Sequence, residues 1–186
     1  MNTSKQVHQS IIDQCKNNHA KAQMQLYNLY CKAMFLVAYR YVKDQCIAED
    51  VMQDAFIKAF KNIHSFKGEV AFGAWLKKIV INQSIDQLKR KTLEVVTLDE
   101  EFTMAIDDDE HWDFEDEVLV KEIITVIKTL KEKYRLVLSL YLLEGYDHKE
   151  ISEMLNITET TSRTHLARGK KLVKEQLKTR CYAAKK

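Results

Sequence analysis

The sequence predicts an all-α protein made of two small helical domains joined by an acidic linker. The 186 residues contain no proline and only four glycines, so few positions would interrupt a helix. Apolar residues recur at helical spacing in two separate blocks of the chain. Between those blocks, residues 94–117 hold twelve Asp or Glu and no Lys or Arg, and such a run repels itself. No segment predicts a convincing strand.

These observations divide the chain into three predicted segments. Residues 1–91 form an N-terminal helical bundle, residues 92–117 an acidic flexible linker, and residues 118–186 a C-terminal helix-turn-helix domain. The length allows one domain with a good core or two small ones.

The first block shows its buried face most clearly between residues 48 and 63. Apolar residues lie there at i, i+3, i+4, i+7, i+8, i+11, i+12 and i+15, namely Ala48, Val51, Met52, Ala55, Phe56, Ala59, Phe60 and Ile63. A second periodic segment, residues 26–42, should pack against this face and bury Tyr30, Phe35, Leu36 and Tyr39.

The charge of the chain predicts a nucleic-acid partner. A formal net charge of +2 hides a segregation, because the residues outside 94–117 carry 29 basic and 15 acidic side chains. A solvated helical surface is the alternative reading. It accounts for scattered lysines but less readily for the clusters in residues 77–91 and 163–186.

Cysteine spacing and hydropathy predict a cytoplasmic protein. Cys15, Cys31, Cys46 and Cys181 form no C-x-x-C pair and have no metal-ligand spacing, which favours reduced thiols. No apolar run approaches the roughly 20 residues that cross a bilayer, so we expect no membrane insertion.

The second block ends in a pattern typical of a helix-turn-helix. After a helix from Val118 with Ile123, Ile124, Ile127 and Leu130 inward, residues 147–171 predict two short helices joined by a tight turn. Ile151, Met154 and Leu155 share one face of the first helix. Asn156 suits a left-handed turn residue, and Thr158 can cap the second helix.

The second helix of that motif carries the residues expected to meet DNA. It would bury Leu166 and leave Thr160, Arg163, Thr164 and Arg168 free for groove edges or phosphates. Lys149 and Lys171 would attract phosphate. His165 either touches DNA or covers the edge of the helix, and the sequence does not separate the two readings.

Three motifs in this order closely resemble the short alternative sigma factors of bacterial RNA polymerase, the extracytoplasmic-function (ECF) subfamily of the sigma-70 family. Residues 48–60 resemble its polymerase-binding helix, D-x-x-Q-D-x-F-x-x-x-F, residues 66–91 its promoter-opening segment, and residues 134–171 its reader of the upstream promoter element. The chain departs from the family pattern in lacking a proline before Tyr134, in Asn156 at the turn glycine, and in Ser162 at the usual valine.

The resemblance implies contacts with core RNA polymerase. Asp50, Gln53, Asp54, Phe56 and Lys58 would bind the coiled coil of the β′ subunit, and the second domain would bind the β flap. Without the resemblance, an ordinary solvated helix face would explain the polar residues equally well. Inhibition by an anti-sigma protein is implied by the family alone.

The same resemblance implies promoter melting by residues 66–91. The loop with Phe66, Lys67 and Phe72 is the candidate to hold an unstacked base, since Trp75 at helical spacing is better placed in the core. The phosphate contacts would come from Lys77, Lys78, Lys89, Arg90 and Lys91. Asn82 and Asp86 either shape a pocket for a base or cap and cross-link helices.

We expect no covalent chemistry and no cofactor. The sequence has no phosphate-cradling glycine loop and no nucleophile beside a base. The resemblance implies that the acidic linker threads into the polymerase near the path of nascent RNA, and a solvated tether is the plain alternative. A metal site of residues 99–116 with His111 is disfavoured, because a flexible carboxylate run lacks fixed geometry. A stand-alone helix-turn-helix regulator is the competing function.

Overall fold

The structure is a computed structural model that describes residues 7–93 and 117–183, with side chains for residues 7–90 and 120–179. The chain divides into two compact units, Met1–Thr97 and Leu98–Lys186. Every regular element in the described residues is helical, which confirms the predicted all-α class. None of the helices in this part of the chain is long and apolar enough to span a bilayer.

Four α-helices and one short turn of 3₁₀-helix make up the described part of the first unit. The helices are α1, Gln9–Lys16, α2, Ala20–Val42, α3, Gln45–Lys61, and α4, Phe72–Leu93, with the 3₁₀ turn at Ile63–Ser65. Helices α2, α3 and α4 pack against one another, and α1 packs on α2.

Two capping residues, Lys43 and Asp44, form the tight turn between α2 and α3. Lys43 ends α2 in the left-handed conformation, at φ 57°, and its amide donates to the Tyr39 carbonyl. Asp44 then caps α3, since its carboxylate accepts from the amide of Ile47 at 2.9 Å. Two adjacent residues therefore reverse the chain without proline or glycine.

The core of the first unit follows the predicted stripe. All eight stripe residues are buried except Phe60, which is half-buried. On α2 the prediction was partly wrong, because Leu36 is 57% exposed and Tyr39 46% exposed. Tyr30 and Phe35 are half-buried. Helix α2 instead buries its opposite face, through residues that include Leu26, Val37 and Tyr41.

The described part of the second unit is built around one long helix. Its elements are α5, Glu117–Ile127, α6, Glu132–Leu138, a π-helical turn at Ser139–Leu143, α7, His148–Leu155, and α8, Glu159–Ala183. Helices α5, α6 and α7 all contact α8. Three of the four residues predicted to face inward near α5, Ile123, Ile127 and Leu130, are buried, and Ile124 is half-buried.

The predicted turn of the helix-turn-helix is confirmed in its details. Asp147 and Glu150 form a reciprocal capping box at the start of α7. Asn156 ends α7 at φ 56°, in the left-handed conformation. The hydroxyl of Thr158 then accepts from the amide of Thr161 at 3.1 Å, as expected of a cap.

The prediction that the second motif helix is short was wrong. Helix α8 has 25 residues and continues through the basic run. Val173 is fully buried and extends the apolar row of Leu166 by seven residues, so packing against the other helices continues past the predicted helix-turn-helix motif.

Gly169 lets α8 approach α6 closely, so we expect Gly169→Ala to destabilise the protein. A Cβ there would lie 2.8 Å from Cδ1 and 3.0 Å from Cγ of Leu138, a fully buried side chain. Overpacking costs about 1–3 kcal/mol, which should outweigh the gain of up to about 1 kcal/mol from replacing a helical glycine. Urea unfolding followed by circular dichroism measures the difference, with exposed Lys171→Ala as the control. A more stable Gly169→Ala variant would contradict the close packing.

Candidate polymerase and nucleic-acid interfaces

Helix α3 presents four of its five motif residues to solvent. Asp50, Gln53, Asp54 and Lys58 are exposed, on the side opposite the buried stripe. Phe56 is a correction, because its side chain is only 2% exposed and packs on Tyr27 with ring centroids 4.8 Å apart. Its place in the stripe makes it a core residue that holds the helix, and it offers no surface to a partner.

Ile57 belongs to the same exposed face and was missed by the sequence reasoning. Its side chain is 52% exposed, and it lies three residues after Asp54 and four after Gln53. The available signal was an apolar residue outside the core periodicity of its own helix. A large apolar side chain among polar neighbours is the composition of a contact centre in an interface.

The aromatic residues expected to hold an unstacked base lie in the core instead. Phe66 and Phe72 are buried, with ring centroids 5.4 Å apart, and each packs against the half-buried ring of Trp75. Tyr30 of α2 extends the cluster, 5.5 Å from Phe72. The prediction that the Phe66 and Phe72 rings face a base is therefore wrong, since burial of such large apolar rings stabilises the bundle.

Between these two anchors lies a short exposed loop, residues 67–71. Lys67, Glu69, Val70 and Ala71 are exposed, and Gly68 has φ 78°, a conformation that favours glycine. Lys16 of α1 donates from Nζ to the carbonyl oxygen of Phe66 at 3.3 Å. The loop is thus held at both ends while its tip stays accessible. Sequence reasoning did not connect α1 to this loop.

Helix α4 arranges polar residues in one outward row. Lys78, Asn82, Asp86 and Arg90 follow one another at four-residue intervals, and all four are exposed. Lys89 is half-buried on the flank of the row. Lys77 is also half-buried, and it precedes Lys78 by about 100° of helix rotation, so it does not belong to the row. The side chain of residue 91 lies outside the described part.

Helix α8, the second helix of the predicted motif, carries basic and hydroxyl side chains in its N-terminal half. Thr160, Arg163 and Lys171 are exposed, and Arg168 is half-buried. The guanidinium of Arg163 pairs with the Glu159 carboxylate one turn earlier, at 3.2 Å. Exposed pairs of this kind contribute only about 0.3–0.5 kcal/mol, so the guanidinium can exchange to another acceptor. Lys149 of α7 is also exposed.

Two residues expected on that face are engaged elsewhere. The prediction that Thr164 is free was wrong, because it is 8% exposed and its hydroxyl donates to the Thr160 carbonyl at 2.9 Å. A threonine inside a helix commonly makes this bond to the preceding turn. The ring of His165 meets Tyr134 of α6 edge to face, with centroids 5.6 Å apart. This favours the reading in which His165 covers the helix edge.

A buried polar contact joins the two helices of the motif. Nδ1 of His148 and the hydroxyl of Ser162 share a hydrogen bond of 2.9 Å, and Ser162 is fully buried. The His148 ring stacks on Tyr141, with centroids 4.9 Å apart. Burial lowers the pKa of His148 below its ordinary value, and the nearby guanidinium of Arg163 lowers that pKa further.

One sequence prediction about metal binding falls outside the described residues. The candidate metal site, residues 99–116, lies outside the described part, as does most of the acidic linker. Within the described side chains, no cluster of three or more His, Cys, Asp or Glu is suited to hold a metal ion. Cys15, Cys31 and Cys46 are free thiols.

Both units match models of known domain families. The model described as Sigma-70 region 2 matches residues 26–94, and the model described as Sigma-70, region 4 matches residues 121–173. Each match spans the helices that carry the interfaces described above. The chain is therefore a sigma factor of the sigma-70 class, which is a class of promoter-specificity subunits.

Comparison with whole proteins narrows the class. The ECF RNA polymerase sigma factor SigW of Bacillus subtilis strain 168 is 30% identical over 180 residues, covering 90% of this chain and 95% of SigW. SigM of the same organism is 28% identical over 155 residues, covering 81% and 91%. A solved sigma factor RpoE, in complex with the anti-sigma factor NepR from Bartonella quintana, is 22% identical, covers 83% of this chain and 96% of RpoE, and has a TM-score of 0.49. On the strength of the SigW match, the chain belongs to the ECF RNA polymerase sigma factors.

We expect Phe72→Ala to destabilise the first unit strongly, because the ring is buried among Phe66, Trp75 and Tyr30. Truncating a buried phenylalanine costs about 3–5 kcal/mol. The exposed Val70→Ala, two residues earlier in the loop that precedes α4, should change the free energy of unfolding by less than about 0.5 kcal/mol. Urea unfolding of both variants measures the two changes in the free energy of unfolding. Small, equal changes would contradict the burial of Phe72.

The lowered pKa of His148 predicts that stability falls as the pH falls. The unfolded chain binds a proton near pH 6.5, whereas the folded chain resists it to a lower pH. Stability from this group is therefore complete above 6.5 and is lost as the pH falls from 6.5 through the folded pKa. Unfolding measured between pH 7.5 and 5.5 should show a shallower pH dependence in His148→Asn. The exposed His64→Asn should serve as a control, and an unchanged slope in His148→Asn would refute the assignment.

Proposed function

We propose that this chain is an alternative sigma factor that binds core RNA polymerase and directs promoter recognition, DNA melting and transcription initiation. Residues 1–91 would bind polymerase and open the minus-ten element, residues 92–117 would link the domains, and residues 118–186 would read the minus-thirty-five element. The observation that carries the proposal is the outward face of α3, where the motif residues Asp50, Gln53, Asp54 and Lys58 are exposed.

The polymerase contact combines charge with an apolar centre. Asp50 and Asp54 offer carboxylates to arginines on the β′ coiled coil, and such charge-assisted pairs are strong and directional. Ile57 lies among them and would be desolvated on binding, which gives the contact its hydrophobic part. The buried stripe packs α3 against α2 and α4, and this fixes which of its side chains face solvent.

The minus-ten contact would use the exposed loop, residues 67–71, and the outward row of α4. Unstacking a base costs a few kcal/mol, which a preformed site must offset. The aromatic anchors and Lys16 preform the loop, so its tip loses little entropy on binding. Lys78 and Arg90 would contact phosphate, and Asn82 and Asp86, which lie between them in the exposed row, would contact bases or sugars.

The second unit would read the upstream element through α8. Arg163 can make a bidentate contact to guanine, Thr160 can position the helix on the backbone, and Lys149, Arg168 and Lys171 can contact phosphate. The β flap is the proposed polymerase partner of this unit. Part of the selectivity for promoter sequence can come from the sequence-dependent shape of the DNA, because this kind of readout requires no contact with the bases.

The remaining assignments rest on the family. The protein would have no catalytic residues of its own and would act in the cytoplasm, where polymerase and DNA are found. We infer an anti-sigma protein as its regulatory partner. The acidic linker, with twelve carboxylates and no Lys or Arg in residues 94–117, would run near the path of nascent RNA.

We expect Asp54→Arg to abolish binding to core RNA polymerase. Charge reversal places a cation against the arginines of the partner helix, and affinity should fall at least about tenfold. Glu49→Arg makes the same change of charge on an exposed residue five positions earlier, about 140° around the helix. Co-migration with core polymerase on a sizing column at moderate salt should be lost in the first variant and kept in the second.

Two outcomes of that experiment would change the proposal. Equal binding by both variants would mean that a different face of the first unit meets polymerase. No co-migration of the unaltered chain, where another sigma subunit binds, would favour a stand-alone DNA-binding regulator.

Arg163→Ala should relax selection at one base pair of the upstream element. Loss of a bidentate contact costs about 1–3 kcal/mol of discrimination. Competition between promoter duplexes that differ by single base pairs, with reconstituted polymerase, measures the effect. Lys149→Ala is the control, since losing a phosphate contact should weaken all sequences alike and lower the salt dependence. An unchanged ranking of duplexes in Arg163→Ala would remove Arg163 from base reading.

A further inference from the structure

The hydrogen bond between His148 and Ser162 connects the two helices of the DNA-reading motif. His148 is the first residue of α7, directly after its cap Asp147, and Ser162 lies in the first turn of α8. The distance from Nδ1 to Oγ is 2.9 Å. Because Ser162 is fully buried, water does not compete for its hydroxyl.

A third element fixes the same imidazole from another side. The Tyr141 ring, which belongs to the π-helical turn Ser139–Leu143, stacks on the His148 ring at an interplanar angle of 27°. The wide turn is closed by the amide of Glu144, which donates to the Ser139 carbonyl at 3.2 Å. Turns of this kind occur frequently at functional sites, where they place a side chain that a regular helix would not.

The residue after Ser162 is the one we expect to meet bases. The Arg163 guanidinium can reach a base only if α8 has a defined rotation and tilt relative to α7. An apolar side chain at position 162 would fill space but tolerate small rotations, whereas a hydrogen bond depends on distance and angle. Buried polar contacts can select one register in this way.

We propose that His148 and Ser162 form a positioning pair that sets the register of α8 against α7 and thereby aims Arg163 at the upstream promoter element. This inference deepens the proposed function and rests on it. Neither residue touches DNA in this role.

The pair also makes the reading of DNA sensitive to pH. The charged groups around His148 are Asp147 at the cap of α7 and Glu159, Arg163 and Lys170 on α8, while Tyr141 covers the ring from the π-helical turn. A neutral ring that carries its proton on Nε2 accepts a hydrogen bond from the Ser162 hydroxyl at Nδ1, whereas a protonated ring must donate there. From that tautomer, protonation reverses the hydrogen bond and places a cation near Arg163.

The test uses polymerase reconstituted with the full chain and a pool of promoter duplexes randomised over the upstream element. Sequencing of the bound fraction gives the preference between favoured and disfavoured elements. At pH 7.5, Ser162→Ala should reduce that preference by about two- to tenfold. Loss of folded protein would lower the amount bound but not the ratio between sequences.

Two further variants separate positioning from packing. His148→Asn places an amide near the former Nδ1, so it should keep the preference at pH 7.5 and keep it again at pH 5.5, where the unaltered chain loses part of it. Ser152→Ala is the matched control, because that hydroxyl donates to the Lys149 carbonyl of its own helix. It should leave the preference unchanged.

The outcomes distinguish this inference from the proposed function. If the unaltered chain forms no complex with polymerase, or the complex selects no upstream element, the proposed function fails. If the unaltered complex selects an element and Ser162→Ala selects it equally well, the positioning pair is overturned and the proposed function stands. An identical pH response in the unaltered chain and His148→Asn would overturn the pH dependence.

Discussion

The apolar stripe of α3 is the contact on which the first unit depends. It is buried between α2 and α4, and it includes three alanines that let the helices approach closely. Since the stripe occupies one side of α3, the other side is free to carry Asp50, Gln53, Asp54 and Ile57 in a fixed order. The same packing holds α4, so its outward row is set by the core as well. The core therefore determines which side chains of α3 and α4 are exposed to solvent.

In the second unit the equivalent element is α8, which contacts α5, α6 and α7. Gly169 and Val173 lie on the packed side, and Thr160 and Arg163 lie on the exposed side. Helix α8 therefore has a packed side along its length and exposed side chains near its start. The contact between His148 and Ser162 lies on the packed side, one residue before Arg163.

Sequence reasoning predicted the features that depend on neighbouring residues. Helical periodicity predicted the stripe of α3, and cap chemistry predicted the turn at Asn156 and Thr158. It failed for side chains whose surroundings come from distant residues. Phe66 and Phe72 flank a glycine-containing loop and resemble an exposed aromatic site, yet they close a cluster with Trp75 and Tyr30. Thr164 was expected to be exposed, but it is buried, and its hydroxyl donates to the Thr160 carbonyl. The sequence does not show whether a helical threonine forms this bond or faces solvent.

By itself, the sequence determined the helical class, the order of the motifs and the family, because these follow from local periodicity and from residue identities at fixed spacing. The tertiary structure alone decided which face α2 buries. Leu36 and Tyr39 are exposed, because α2 packs against α3 and α4 through its opposite face, which includes Leu26 and Val37. It also decided the meeting of Lys16 with the Phe66 carbonyl and of His148 with Ser162. Such contacts join residues far apart in the chain, and their geometry exists only after the helices have packed.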